Sequence, residues 1–345
     1  MRILCIEPSE NHHETLLAWI AGAARINPRP QLYVVTQPAF QTLYAQLEEV
    51  EGWFPLPSEA CDVRQLAKRI SATHVFHNTA YGRYTHQLIS CLRSLPHVGI
   101  VHNTAKLRRL SWMGWRIARR LEHFWVLRHG LWAALPRWWR RKSTPLLLTQ
   151  LPPSLEAQIP PLSVPDGQRW FAIPGRVECK RRAYSELIEV LQRNPPPSGW
   201  RFLLLGPANA RYSDWPSLHA LLEESELGHH FVTFPEGLDF PSYHAYLRAS
   251  EAILPLIHPT TPYWQAYLRY QITGAFSLAF THRKPMLLHK AFVAEADLAD
   301  ASIFYQTHDE LLSLLRQEPL SPRALYQSEY WKPESLIEAI EAGLV

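Results

Sequence analysis

From Trp170 to Tyr305 the chain alternates short apolar runs with loops that open on Gly, Pro, basic or hydroxyl residues, and this alternation constrains the fold more than any other feature. FAIPGRVECKRR opens the stretch, WRFLLLGP and RASEAILPLI follow, and YQITGAFSLAFTHRKPMLLHK closes it. Apolar runs too short for helices, separated by amphipathic segments, predict parallel strands with helices on both faces. We expect strands at 170–174, 201–205, 231–234, 251–256, 285–289 and 302–305. Helices are expected near 181–194, 215–227, 241–249, 273–283, 291–299 and 308–317, with a last one near 333–343. In an open parallel sheet, ligands bind beyond the carboxyl ends of the strands. The loop residues that matter are therefore those just after each strand.

The first half shows the same alternation. Strands are expected at 2–8, 31–36, around Trp53, at 74–79 and at 97–103, with helices at 14–26, 38–50, 61–72 and 84–95. HFWVLRHG and TPLLLTQLP also read as strands. Between the halves, LPPSLEAQIPPLSVPDG has no periodicity, and its prolines stiffen a connection while keeping the preceding residues out of helix. The expected organisation is a first α/β domain over 1–160, a second over 168–322, and a final helix in 323–345 that returns to the first domain. A length of 345 residues accommodates two such cores.

Charge and cysteine usage exclude several classes. No GxGxxG follows the first strand and no Walker A motif is present, which argues against dinucleotide and P-loop enzymes. Cys5, Cys61, Cys91 and Cys179 are scattered without metal-ligand spacing and read as free thiols. No HxxxH or HExxH occurs, so neither a metal nor another cofactor is expected. MRILCIEPSENHH is not a signal peptide, and no apolar run is long enough to span a bilayer, so a cytoplasmic location is expected.

Between Lys106 and Lys142, eleven Lys or Arg face a single acid, Glu122, and six of the thirteen Trp are found there. Leu107, Leu110, Trp112, Met113, Trp115 and Ile117 surround Arg108, Arg109 and Arg116 in a rough helical pattern. Interfacial aromatics beside clustered cations suit an anionic membrane surface, here the inner face of the cytoplasmic membrane. A helix with a solvated basic face and buried Trp is the alternative. No RNA-binding signature accompanies the charge, and no nucleic-acid partner is expected.

Cations at the mouth of a strand suit a diphosphate. Gly175, Arg176 and Lys180 follow the strand at 170–174, while Tyr270, Thr273 and Gly274 are expected to open a helix whose N–H groups hold the distal phosphate. Of the cations in this run Lys180 is the sharper candidate, because facing solvent is an alternative for Arg181 and Arg182. In the first half, His12 and His13 follow the first strand, and two HN pairs, His77–Asn78 and His102–Asn103, end two others. Imidazole at such positions would take a hydroxyl proton or contact a sugar hydroxyl.

These motifs, in this order, resemble the C-terminal half of GT-B glycosyltransferases, and within them the retaining group called family 4. The resemblance implies two Rossmann-like domains facing across a cleft, with a nucleotide-sugar donor held by the second domain. It implies donor contacts from Gly175, Arg176 and Lys180, a loop at Phe234, Pro235, Glu236, Gly237 and Leu238 against the base, and phosphate contacts from Tyr270, Thr273 and Gly274. Arg176, Lys180 and His102 would serve the chemistry, and His13, His77 and Asn78 would lie on the acceptor side. The acceptor would be lipid-linked or a glycan, in cell-surface polysaccharide or glycolipid assembly. The pattern departs from the family in that 263–279 contains no Asp or Glu, and Arg283 replaces the usual Gly before Lys284–Pro285. A non-catalytic GT-B partner of an active transferase and a sugar-nucleotide epimerase remain the alternatives.

Overall fold

The computed structural model describes residues 1–9, 12–108, 111–211, 213–320 and 324–344. Arg109 and Leu110 of the basic segment, and Glu10 and Asn11 of the first loop, lie outside the described residues. Two compact units form, one from Met1–Glu156, Tyr270–Ile272 and Glu329–Val345, the other from Ala157–Arg269 and Thr273–Ser328.

The first unit holds a seven-stranded, wholly parallel sheet. Its strands are β1 (Arg2–Glu7), β2 (Gln31–Thr36), β3 (Gly52–Pro55), β4 (His74–His77), β5 (His97–Val101), β6 (His123–Val126) and β7 (Ser143–Pro145), in the order β3-β2-β1-β4-β5-β6-β7. The strands are apolar on both faces because helices cover both. One face packs Trp19, Phe76 and Trp125 in a buried aromatic stack, with Trp19 and Phe76 centroids 3.8 Å apart. The last helix, Pro333–Leu344, seals this face. Leu336 and Ile340 lie against Gly22, where a Cβ would meet Ile340 at 2.6 Å, and Trp125 Nε1 donates to Ala339 O. Gly22, in helix His13–Ala23, leaves room for these side chains, which a larger residue would force aside.

The second unit holds a six-stranded parallel sheet. Its strands are β8 (Arg169–Ile173), β9 (Trp200–Pro207), β10 (Phe231–Phe234), β11 (Ala252–Ile253), β12 (Met286–His289) and β13 (Ser302–Tyr305), in the order β10-β9-β8-β11-β12-β13. The order reverses between β8 and β11, which makes their carboxyl ends the topological switch point.

Several sequence expectations are corrected. Strand β11 pairs over two residues rather than six, because Pro255 has no N–H to give and Leu256 takes φ +52°. The helix expected at 291–299 becomes a short 3-10 turn, Lys290–Phe292, and a separate helix, Ala296–Ala301. Unforeseen helices form at Trp264–Arg269 and, within the Pro-rich connection, Pro153–Glu156. The thiols are not all free. The turn Ala60–Asp62 packs against helix Arg83–Cys91 and brings the Cα atoms of Cys61 and Cys91 to 5.4 Å in a disulfide, leaving Cys5 and Cys179 free.

Candidate functional site

At the carboxyl end of β8 the backbone turns through Gly175 at φ +90°, a conformation that glycine adopts without strain. The turn is held from beneath by Arg182. This side chain is buried, which settles against the solvated alternative; its guanidinium donates to Pro174 O and, at 2.8 Å, to Pro255 O. Arg182 thus ties the ends of β8 and β11 together across the switch point, using a cation where two strand-end carbonyls lack ladder partners. A Cβ on Gly175 would meet Arg182 Nη2 at 2.8 Å, and one on Gly206 would meet Gly175 O at 2.2 Å. Gly206 is required by the close approach of the Gly175 backbone, and Gly175 by its positive φ and the guanidinium seated against it.

With Arg182 turned inward, Arg176 and Lys180 stand on the exposed side of the same loop. Buried Val177 pins its middle, and Asp214 accepts from Cys179 N at 2.9 Å. Arg181 pairs with Glu178 at 2.5 Å and reaches Tyr267 Oη at 3.2 Å. The following helix starts only at Tyr184, later than expected, because residues 178–182 close a turn of their own. The loop is tied down by these contacts and carries two exposed cations, which suits an anionic ligand.

The expected base loop lies at the end of β10. Gly237 N returns to Phe234 O at 2.9 Å with Gly237 at φ +79°, and Asn209 donates to Pro235 O at 2.6 Å. Phe234 packs on Tyr246, Pro235 is exposed, and Leu238 is half-buried. At the next position, Thr273 caps helix Gly274–His282 by accepting from Ala275 N at 3.4 Å, and Gly274 is exposed with open space where a Cβ would be. Tyr270 does not open this helix. It belongs to the first unit, where its carbonyl accepts from Thr104 N at 2.7 Å and Arg108 lies 4.6 Å over its ring.

The carboxyl end of the first sheet is built on a different principle. Glu7, the last residue of β1, is fully buried, and burial pushes its carboxyl up to about 7, although hydrogen bonds from Asn78, Ser9 and Thr79 favour the ionised form. Asn78 Nδ2 bridges Glu7 to His12 O, the latter at 2.8 Å, and Thr79 Oγ1 donates to Glu7 at 2.9 Å. Asn78 O lies 2.6 Å from His102 Nε2. A carbonyl only accepts, so Nε2 carries the proton and Nδ1 is left as an acceptor. Burial, with the nearby His12, pushes His102 down to about 3, so the ring is neutral at physiological pH. His12 stacks on it at 4.0 Å, whereas His13 lies toward Phe40 and Tyr44.

His77, expected on the acceptor side, is buried within the sheet layer instead. Strand alternation sends Asn78 to the Glu7 node and His77 to the opposite face, where its Nε2 lies 2.9 Å from His97 Nδ1, while His97 Nε2 donates to Leu92 O at 3.1 Å. Glu7 and Thr79 were missed by sequence reasoning. The signal for Glu7 was an acid ending an otherwise apolar strand, which reads as a surface residue until the chain around it is known to cover it.

No protein-family model and no curated protein sequence matches the chain. Solved structures do. HepE of Anabaena in complex with UDP-glucose is similar over 100% of this chain and 99% of its own, at 16% identity and a TM-score of 0.66. MnaA of S. aureus with UDP is similar at 11% identity over 99% and 96% of the two chains, TM-score 0.61. ADP-heptose LPS heptosyltransferase II of E. coli is similar at 14% identity over 100% and 98%, TM-score 0.50. Full-length similarity at such low identity speaks to architecture, and the two parallel-sheet α/β units have the GT-B fold.

Proposed function

We propose that the chain is a glycosyltransferase that takes a hexosyl group from a nucleotide-sugar and passes it to a lipid-linked or glycan acceptor in cell-surface polysaccharide or glycolipid assembly. The observation that carries this reading is the β8 loop, where a buried Arg182 fixes the backbone and Arg176 and Lys180 remain exposed beside the switch point. Complexes of the similar Anabaena protein with UDP and UDP-glucose support a uridine donor.

Breaking the sugar–phosphate bond leaves charge on the departing diphosphate, and Arg176 and Lys180 would stabilise that charge as it develops. Backbone N–H groups at Thr273–Gly274 would add fixed donors. Gly175 would allow the phosphate close to the chain, and Phe234, Pro235 and Leu238 would lie against the base. His102, neutral and with its tautomer set by Asn78 O, would accept from a substrate hydroxyl rather than carry a charge. Asn78 and Glu7 would hold it there. We favour retention of configuration, in line with the family 4 resemblance.

Stabilisation by UDP, GDP, ADP or dTDP in a thermal-shift panel, abolished by Lys180→Ala, tests the donor reading. Silence across the panel would favour a non-catalytic partner of an active transferase. Similarity to UDP-N-acetylglucosamine 2-epimerase supports a second reading, for which sugar-nucleotide conversion without any acceptor is the discriminating result. A lipid-linked acceptor would be met at a membrane surface, for which 106–142 is the candidate contact.

A further inference from the structure

The structure divides the basic, Trp-rich segment into a structural part and an outward part. Leu107, Ile117, Ala118, Phe124 and Trp139 are core, Met113 and Trp115 pack against them, and Arg128 is fully buried. The apolar residues that suggested an inserting face are therefore committed to the unit's own interior. What remains outside is a stripe on helix Trp112–Arg120, in which Trp112 is 61% exposed and Arg116, Arg119 and Arg120 follow at helical spacing. Arg116 sits 4.4 Å over the Trp112 ring, and Arg119 4.7 Å over Trp115.

A second patch adjoins it. Lys142 Nζ reaches the helix's last carbonyls, Arg119 O at 3.3 Å and Leu121 O, which brings the segment 137–141 to the end of the stripe. There Arg137, Arg140 and Arg141 are exposed, and Trp138 is 55% exposed. The one acid between Lys106 and Lys142 is Glu122. Cations that stack on indole rings keep their charge, so this surface has a strong positive potential with two large aromatic rings in it.

We propose that Trp112, Arg116, Arg119, Arg137, Trp138 and Arg141 form a docking surface for an anionic lipid headgroup layer, engaged at headgroup depth without insertion of a helix. This deepens the acceptor part of the proposed function and rests on it for its purpose, since a lipid-linked acceptor must be met where it lies. The charge complements anionic headgroups, each cation near the surface adding to attraction, and exposed Trp belongs at the headgroup level. Burial of the helix's apolar side excludes deeper penetration, and no helix among the described residues is long and apolar enough to cross a membrane. A single-stranded nucleic acid is less suited, because one face of Trp112 is taken by Arg116 and Trp138 packs on Trp139 at 4.4 Å, so neither ring offers two open faces to bases.

Vesicle flotation decides it, with phosphatidylcholine alone against phosphatidylcholine containing phosphatidylglycerol. The full chain is expected to float with the anionic vesicles at 50 mM salt, to lose most binding at 300 mM, and to ignore neutral vesicles. Trp112→Ala with Trp138→Ala, and separately Arg119→Gln, Arg137→Gln and Arg141→Gln together, are each expected to weaken binding at least ten-fold with an unchanged melting temperature. No flotation at 50 mM salt overturns the proposal. So does loss of none of the binding in both variants, or binding of an oligonucleotide that replaces the vesicles with the same sensitivity to the variants. Nucleotide stabilisation is read separately: a chain that answers UDP but not vesicles loses only this surface, and one that floats but ignores nucleotides loses only the donor reading.

Discussion

The two sheets end in opposite chemistry. Beyond β1, β4 and β5 no fixed charge stands among the described buried groups: burial pushes Glu7 up to about 7 and His102 down to about 3, and Asn78 joins them. Beyond β8 and β11 the buried group is a cation, Arg182, and its burial leaves Arg176 and Lys180 outside. One edge thus carries polar groups around a single carboxyl that titrates near neutrality, and the other concentrates fixed positive charge on a braced loop. On the function proposed above, the first arrangement suits recognition of uncharged sugar, and the second suits a leaving group that gains negative charge.

This contrast can be broken experimentally. The largest effect is expected for Lys180→Ala, about a hundred- to thousand-fold loss of sugar transfer, as for removal of one donor to a developing charge. Its melting temperature should hardly move, since the side chain is exposed. His102→Ala should cost only about ten-fold, the worth of a neutral hydrogen bond. Equal losses in both would erase the distinction between the edges.

Glu7 gives a signature in pH. Its folded-state value of about 7 lies above the ordinary 4.5. Its contribution is therefore complete below pH 4.5 and is lost as pH rises through about 7, on the order of 3 kcal/mol in all. His97, pushed down to about 4 by burial, and His102 run the other way, contributing above 6.5 and withdrawing stability as pH falls. Urea unfolding of Glu7→Gln across pH 4.5 to 8 should lack the descending limb that the parent shows.

Arg182→Met should destabilise the second unit by about 2–3 kcal/mol, because two buried carbonyls lose a charged donor; an unchanged denaturation midpoint would contradict the bracing role. The smallest effect is expected for Thr273→Ala. Its cap bond is long at 3.4 Å, and about 0.5 kcal/mol is at stake.

Strand positions were legible because short apolar runs bounded by Gly and Pro are too brief for a buried helix and too apolar for a solvated loop. Residues 31–36, 231–234 and 302–305 coincide with β2, β10 and β13. Strand β11 was over-read, since the periodicity does not reveal that Pro255 and Leu256 leave the ladder. In the candidate site, the positions of Arg176 and Lys180 on the loop were legible, while the burial of Arg182 was not. Three successive cations look alike until the carbonyls of Pro174 and Pro255, far apart in sequence, converge on one of them. The HN pairs were equally ambiguous. His102 meets Asn78 O while His77 is paired away with His97, a difference set by which way each residue points from its strand.

The helix Pro333–Leu344 completes a core that begins at Ile3, with Ile340 seated on Gly22 and Ala339 O holding the Trp125 indole. On the ribosome, then, the unit begun first waits for a helix synthesised last. Its aromatic interior stays incomplete through nearly the whole of translation, and a nascent chain arrested before residue 333 should remain open to proteases at a unit whose strands have all emerged.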